Sequence, residues 1–160
     1  NFSSISYILL FLLAFMIQGS TEEILFRGWL FQLIGKKYKP WVGILVTSLL
    51  FSALHGANSG INFIALLNLL LYSILLALIV LYDKNIWRVC GWHAAFNWKL
   101  NCFWGINIGS DEGSISFFNI KIEGSDILSG GIAGPEGSII TTIIFFIILP
   151  ILLLLIKKHE

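Results

Sequence analysis

Three clusters of ionisable or hydrogen-bonding residues interrupt apolar stretches of the chain: Glu22, Glu23 and Arg27 in "EEILFR", His55 closing "FSALH", and His93 with Asn97 in "HAAFN". A carboxylate, two imidazoles and an amide suit hydrolysis of an amide bond. A carboxylate in a partly dehydrated cavity is placed to act as general base, so Glu22 would deprotonate a water that His55 orients or relieves of its proton. His93 and Asn97 would donate hydrogen bonds to the oxyanion that develops on the scissile carbonyl. The same Glu22, His55 and His93 form an accepted ligand set for zinc, which would activate a metal-bound water instead. No HExxH motif is present, and the residues alone leave both chemistries open.

Each cluster also has a plainer reading. Ser20-Thr21-Glu22-Glu23 fits a capping box in which Glu23 reaches back to a backbone N–H. A helix starting there would leave Ile5–Gln18 short for a full span, so one helix from the N-terminal segment through Ile34 is expected, with the cap reading kept for Glu23 alone. On such a helix Glu23 and Arg27 are i,i+4 neighbours that pair, which lowers the cost of holding both in low dielectric. Glu22, turned about 100° away, is left for chemistry. His55, beside Gly56, reads equally as a histidine at the lipid–water boundary. His93 and Asn97 must share a helix face, and taken alone they read as interhelical hydrogen bonding.

The elements that carry these residues are those of an all-α, polytopic membrane helical bundle. Of 160 residues, 57% are hydrophobic and 12% charged, outside the usual composition of soluble domains. Five apolar segments can be drawn: Ile5 to about Ile34, Trp41–Leu54, Ile61–Tyr82, about Ile86–Ile106 and Ile139–Ile156. The third and fifth are runs long enough to cross a core of roughly 30 Å at about 1.5 Å per residue. The chain reads as one domain, 1–160, with a polar loop or reentrant element over about 107–134 in which "SISFFNIKI" suggests a short hairpin. Cys90 and Cys102 lack metal or disulfide spacing and read as small buried hydrophobes. A net charge of +1 excludes bulk attraction to nucleic acid.

Basic residues suggest the orientation. With "KKYK" inside, Lys84, Arg88, Lys157 and Lys158 fall on the same side, while the loop carrying Asp111, Glu112, Glu123 and Asp126 lies opposite. Counted along helices from that side, Glu22 lies roughly 20 Å in, His55 about 22 Å, Asn97 about 16 Å and His93 about 10 Å. Depths this close permit one shared cavity.

The ordered set EExxxR, FxxxH and HxxxN resembles the CPBP family of intramembrane proteases, also called Abi or type II CAAX prenyl endopeptidase-like. It is written here as Glu22-Glu23-x-x-x-Arg27, Phe51-x-x-x-His55 and His93-x-x-x-Asn97, with "GWH" at Gly91–His93 and "AGPEGS" at Ala133–Ser138 similar to further family patterns. The resemblance implies a multi-helix endopeptidase of the cell membrane acting on membrane-associated proteins or peptides. Glu22 and His55 would activate water, His93 and Asn97 would hold the oxyanion, and Glu23 and Arg27 would support the site. It further implies a glutamate-dependent enzyme without a cofactor, zinc remaining the alternative. Family cores carry helices ahead of the EExxxR helix, and this chain, opening at Asn1 so close to it, is expected to lack them. Family roles extend to CaaX trimming and to bacteriocin production and self-immunity. A non-catalytic immunity or scaffolding protein of the same fold is the second reading, against which every motif position is filled. A proton-relay transporter would call for inverted repeats, and none is found.

Overall fold

The structure, a computed structural model, describes residues 2–58, 60–106 and 115–159, and every regular element among them is helical. All five apolar segments are helical, as membrane burial requires when backbone groups must be satisfied within the segment. Helix α1 (Phe2–Glu23) passes through a π-helical turn, Ile24–Leu30, into α2 (Phe31–Lys37), giving the long first helix expected from sequence. Three stretches are long and apolar enough to cross a membrane: Ile5–Lys37, Phe63–Asp83 and Gly131–Lys158. The other two segments form shorter helices, α3 (Pro40–His55) and α5 (Trp87–Trp98), the latter extended by a second π-helical turn, Lys99–Phe103.

Local chemistry sets the helix ends. Pro40 sits at the start of α3, where a missing N–H costs nothing. Asn62 caps α4 (Phe63–Asp83) by accepting a hydrogen bond from the Ala65 amide at 2.8 Å, and α4 stops at Lys84, which adopts φ 57°.

Helix α4 is the centre of the bundle. One face, Leu69, Tyr72, Leu76 and Val80, packs against Phe26, Phe31, Phe51 and Val89 of the neighbouring helices. Another, Leu71, Leu75 and Leu78, meets Leu149 of α7 (Ile139–His159). Outward faces of α1 and α7 expose Leu9, Leu10, Leu13, Ile17, Ile143, Phe146, Ile147 and Leu154. So broad an apolar exterior suits lipid rather than water.

Residues 107–114 of the expected loop, with Asp111 and Glu112, lie outside the described residues. No hairpin forms in 115–125. The amides of Phe117, Phe118 and Ile120 instead donate to the carbonyls of Cys102, Phe103 and Trp104 at 2.9, 3.0 and 3.1 Å, and the Phe117 and Phe118 rings pack on Phe103. The alternating pattern had a helix end to pair with, so it needed no second strand. Beyond it, α6 (Asp126–Ser129) leads into a 3₁₀ turn, Gly131–Gly137. Between them Gly130 has φ 86°, and a Cβ there would lie 1.6 Å from the Gly134 carbonyl, so only glycine permits the fold-back.

Helices α1 and α5 run antiparallel and touch at Gly19, where an added Cβ would lie 3.0 Å from the Ala94 backbone nitrogen. Gly19→Val is therefore expected to destabilise the detergent-solubilised protein by about 1–3 kcal/mol. Thermal unfolding checks this against Gly91→Ala, whose new methyl meets nothing within 4 Å and is expected to leave the midpoint close to that of wild type.

Candidate active site

Beside the Gly19 crossing lies a polar cluster sealed from solvent. Glu23, Arg27 and Ser73 are 0% exposed and His93 is 3% exposed. Arg27 Nη1 donates to Glu23 Oε1 at 2.9 Å, one helical turn apart as the sequence spacing implies. Its Nη2 reaches α4, donating to the Ser73 hydroxyl at 2.8 Å and to the Ser73 carbonyl at 3.2 Å. The guanidinium also lies over the Phe51 ring of α3, 4.7 Å from its centroid. One side chain thus ties three helices together.

Helix α5 joins through His93, whose Nδ1 is 2.8 Å from Glu23 Oε1. A carboxylate oxygen only accepts, so Nδ1 carries the hydrogen and the ring is oriented by Glu23. The Tyr72 and Phe51 rings flank it edge-on at 5.9 and 6.1 Å. Its Nε2 then points to Glu22, whose Oε2 is 3.8 Å away, too far for a direct hydrogen bond. Glu22 Oε2 is buried with no partner, while Oε1 accepts from Gln18.

A cavity of about 400 Å³ opens in front of these groups. It gathers Gln18 of α1, His55 of α3, Tyr72 of α4, His93 and Asn97 of α5, and Glu136 of the 3₁₀ turn. Asn97 Nδ2 donates to Gln18 Oε1 at 3.1 Å, which leaves its second N–H available. His55 Nδ1 lies 2.8 Å from the Phe51 carbonyl, one turn back in the same helix, and its ring stacks on Phe51 at 4.4 Å. That contact makes Nδ1 the donor and leaves Nε2 as the free nitrogen. The convergence inferred from depth is thus met for His55, His93 and Asn97. Glu22 is not part of the cavity wall but adjoins two residues that are, Gln18 and His93.

The capping reading of Glu23 does not hold. Helix α1 continues through Ser20 without a terminus, Thr21 donates to the Ile17 carbonyl at 2.7 Å as a mid-helix residue, and Glu23 is committed to Arg27 and His93. Burial outcompetes the local signal. Among the described residues no group of three or more His, Cys, Asp or Glu side chains is disposed to hold a metal ion, the Glu22, His55 and His93 trio included.

Two contributors escaped the sequence reading. Asn68, 2% exposed in the middle of α4, donates to the carbonyls of Glu136 and Ser138 at 2.7 and 2.9 Å and accepts from the Thr142 hydroxyl at 2.7 Å. It bolts the 3₁₀ turn to the bundle and so presents Glu136 to the cavity. A lone amide within the apolar run Ile61–Tyr82 was the available signal for Asn68. For Glu136 the signal was "AGPEGS", which resembled a family pattern without indicating a role.

Comparison with known proteins gives one family. The model for the type II CAAX prenyl endopeptidase Rce1-like family matches residues 4–99, the part of the chain that holds all three motifs. No curated protein and no solved structure matches.

If the Glu23–Arg27 pair is the frame of this cluster, removing one partner strands a buried charge. Arg27→Met is expected to cost about 3–5 kcal/mol, and adding Glu23→Gln to it should recover part of that loss. Unfolding measurements on the two single variants and the double variant supply the coupling.

Proposed function

The chain belongs to the Rce1-like family of type II CAAX prenyl endopeptidases, and from that membership we propose that it is a multi-pass endopeptidase of the cell membrane. It hydrolyses a peptide bond of a membrane-associated protein or peptide, with Glu22 as general base. The observation that carries the reading is the relation of Glu22 Oε2 to His93 Nε2. The two atoms are 3.8 Å apart, and the carboxylate oxygen is buried and without a partner. A nucleophilic water bridging the two would lie at an ordinary hydrogen-bond distance of about 2.8 Å from each.

In this scheme Glu22 takes a proton from water as the oxygen attacks the scissile carbonyl carbon. The proton then passes to the leaving amine as the tetrahedral intermediate collapses. Asn97 donates its free N–H to the oxyanion. His93, with Nδ1–H already given to Glu23, joins Asn97 at the oxyanion through Nε2 when that nitrogen carries a proton. His55 turns its free Nε2 to the cavity and accepts a hydrogen bond from the water or the peptide. Glu23 and Arg27 do not touch the reacting atoms and act by fixing His93.

Metal is given no role, because the donor side chains are not disposed to share one. Processing of a CaaX-type or leader-peptide substrate is the class of task this chemistry serves.

Glu22→Gln keeps size and hydrogen bonding but removes the base, so kcat is expected to fall about 10²–10⁴-fold with the melting temperature near wild type. Peptide cleavage by membranes carrying wild type, Glu22→Gln and Glu22→Ala, each with and without a chelator, checks this. Undiminished cleavage in both variants rules out the base assignment, and loss of wild-type activity on chelation with return on zinc reinstates the metal.

A further inference from the structure

The cavity wall holds a carboxylate that the proposed mechanism does not use. Glu136 belongs to the 3₁₀ turn and lines two spaces at once. One is the polar cavity with His55, His93 and Asn97. The other, about 250 Å³, is walled by Tyr72, Leu75, Trp92, Phe96, Phe145 and Ile148 and is almost wholly apolar. Glu136 therefore stands at the doorway between them.

Its position is fixed rather than incidental. Asn68 holds the Glu136 carbonyl and Thr141 Oγ1 donates to the Pro135 carbonyl at 2.6 Å. The Ser138 hydroxyl donates to the Leu128 carbonyl at 2.6 Å, and the glycine fold-back at Gly130 permits no other residue. Backbone on both sides of Glu136 is thus bolted to the bundle.

The charge balance around it is one-sided. Among the described residues no lysine or arginine pairs with Glu136, and no Lys or Arg lines either space. Arg27, the one guanidinium in the cluster, is spent on Glu23 and Ser73. Three carboxyl groups, Glu22, Glu23 and Glu136, thus share this region with one guanidinium, Arg27, and Glu136 is left without a cation of the protein's own. An ionised carboxylate at membrane depth costs several kcal/mol unless a cation answers it.

We propose that Glu136 is a substrate-selecting residue that receives a basic side chain, lysine or arginine, of the bound peptide, with an apolar neighbour of that side chain seated in the adjoining apolar space. The proposal rests on the peptidase reading for the identity of its ligand as a peptide. The Glu136 carboxylate pairs with the ammonium or guanidinium, so a basic peptide gains where a neutral isostere does not.

The test uses two labelled apolar peptides, identical except that one carries lysine where the other carries norleucine, binding to full-length protein in nanodiscs. Glu22→Gln protein is used so that bound peptide persists. The lysine peptide is expected to bind about tenfold or more tightly than the norleucine peptide, and Glu136→Gln in the same background should bring that ratio to about one. Glu136→Lys should reverse it in favour of a glutamate-bearing peptide. A ratio near one before substitution, or a ratio unchanged by Glu136→Gln, overturns the proposal. So does an equal loss of both peptides, which would assign Glu136 to folding or catalysis. Cleavage of either peptide by Glu22→Gln protein, followed by mass spectrometry in the same samples, would refute the base assignment alone while the ratio of initial binding rates still reads Glu136.

Discussion

The buried ion pair between Glu23 and Arg27 is the constraint around which the rest of this structure is arranged. Both side chains are fully enclosed at a depth where either alone would be a severe liability. Their contacts beyond each other run inward: Arg27 to Ser73 of α4 and the face of Phe51 of α3, Glu23 to His93 of α5, with Glu23 Oε2 and Arg27 Nε left without a partner. The helices that surround the site are therefore the helices this pair touches. The π-helical turn Ile24–Leu30 begins at the next residue, with the Phe31 amide bonding back five residues to the Phe26 carbonyl. Such turns interrupt α-helices most often at functional sites, and here the turn carries Phe26 and Arg27 into the core together.

The pair and the site divide the labour between adjacent residues. Glu23, inward, is structural and orients an imidazole. Glu22, one position earlier and about 100° round the helix, is left half-buried with an oxygen that nothing in the protein satisfies. A second polar anchor repeats the arrangement at the 3₁₀ turn, where Asn68 is consumed by backbone and Thr142 so that Glu136 is presented. In both cases a residue committed to buried contacts holds its neighbour in place, the pattern expected of a preorganised site.

Much of this is legible in the sequence, for identifiable reasons. Ionisable residues in apolar segments announce themselves, and i,i+4 spacing forces Glu23 onto Arg27 and His93 onto the face of Asn97. The long first helix followed from the length a span requires. What sequence could not supply were partners distant along the chain: His93 reaching Glu23, Arg27 reaching Ser73, Asn68 reaching the 3₁₀ turn. Those depend on how helices cross, and the crossing at Gly19 has no local signature. Local rules misled where tertiary packing overrode them, as with the capping box at Ser20 and the alternation in "SISFFNIKI", whose amides found the end of α5 instead.

Everything at the site depends on Glu23 fixing the His93 ring so that Nε2 faces Glu22. The sequence has three histidines, which makes ¹⁵N NMR of the imidazoles in nanodiscs a direct measurement. In wild type His93 Nδ1 is expected to be protonated and strongly hydrogen-bonded, with that signature lost in Glu23→Gln and retained in Glu22→Gln. A His93 protonated on Nε2 alone, or one indifferent to Glu23→Gln, would contradict it.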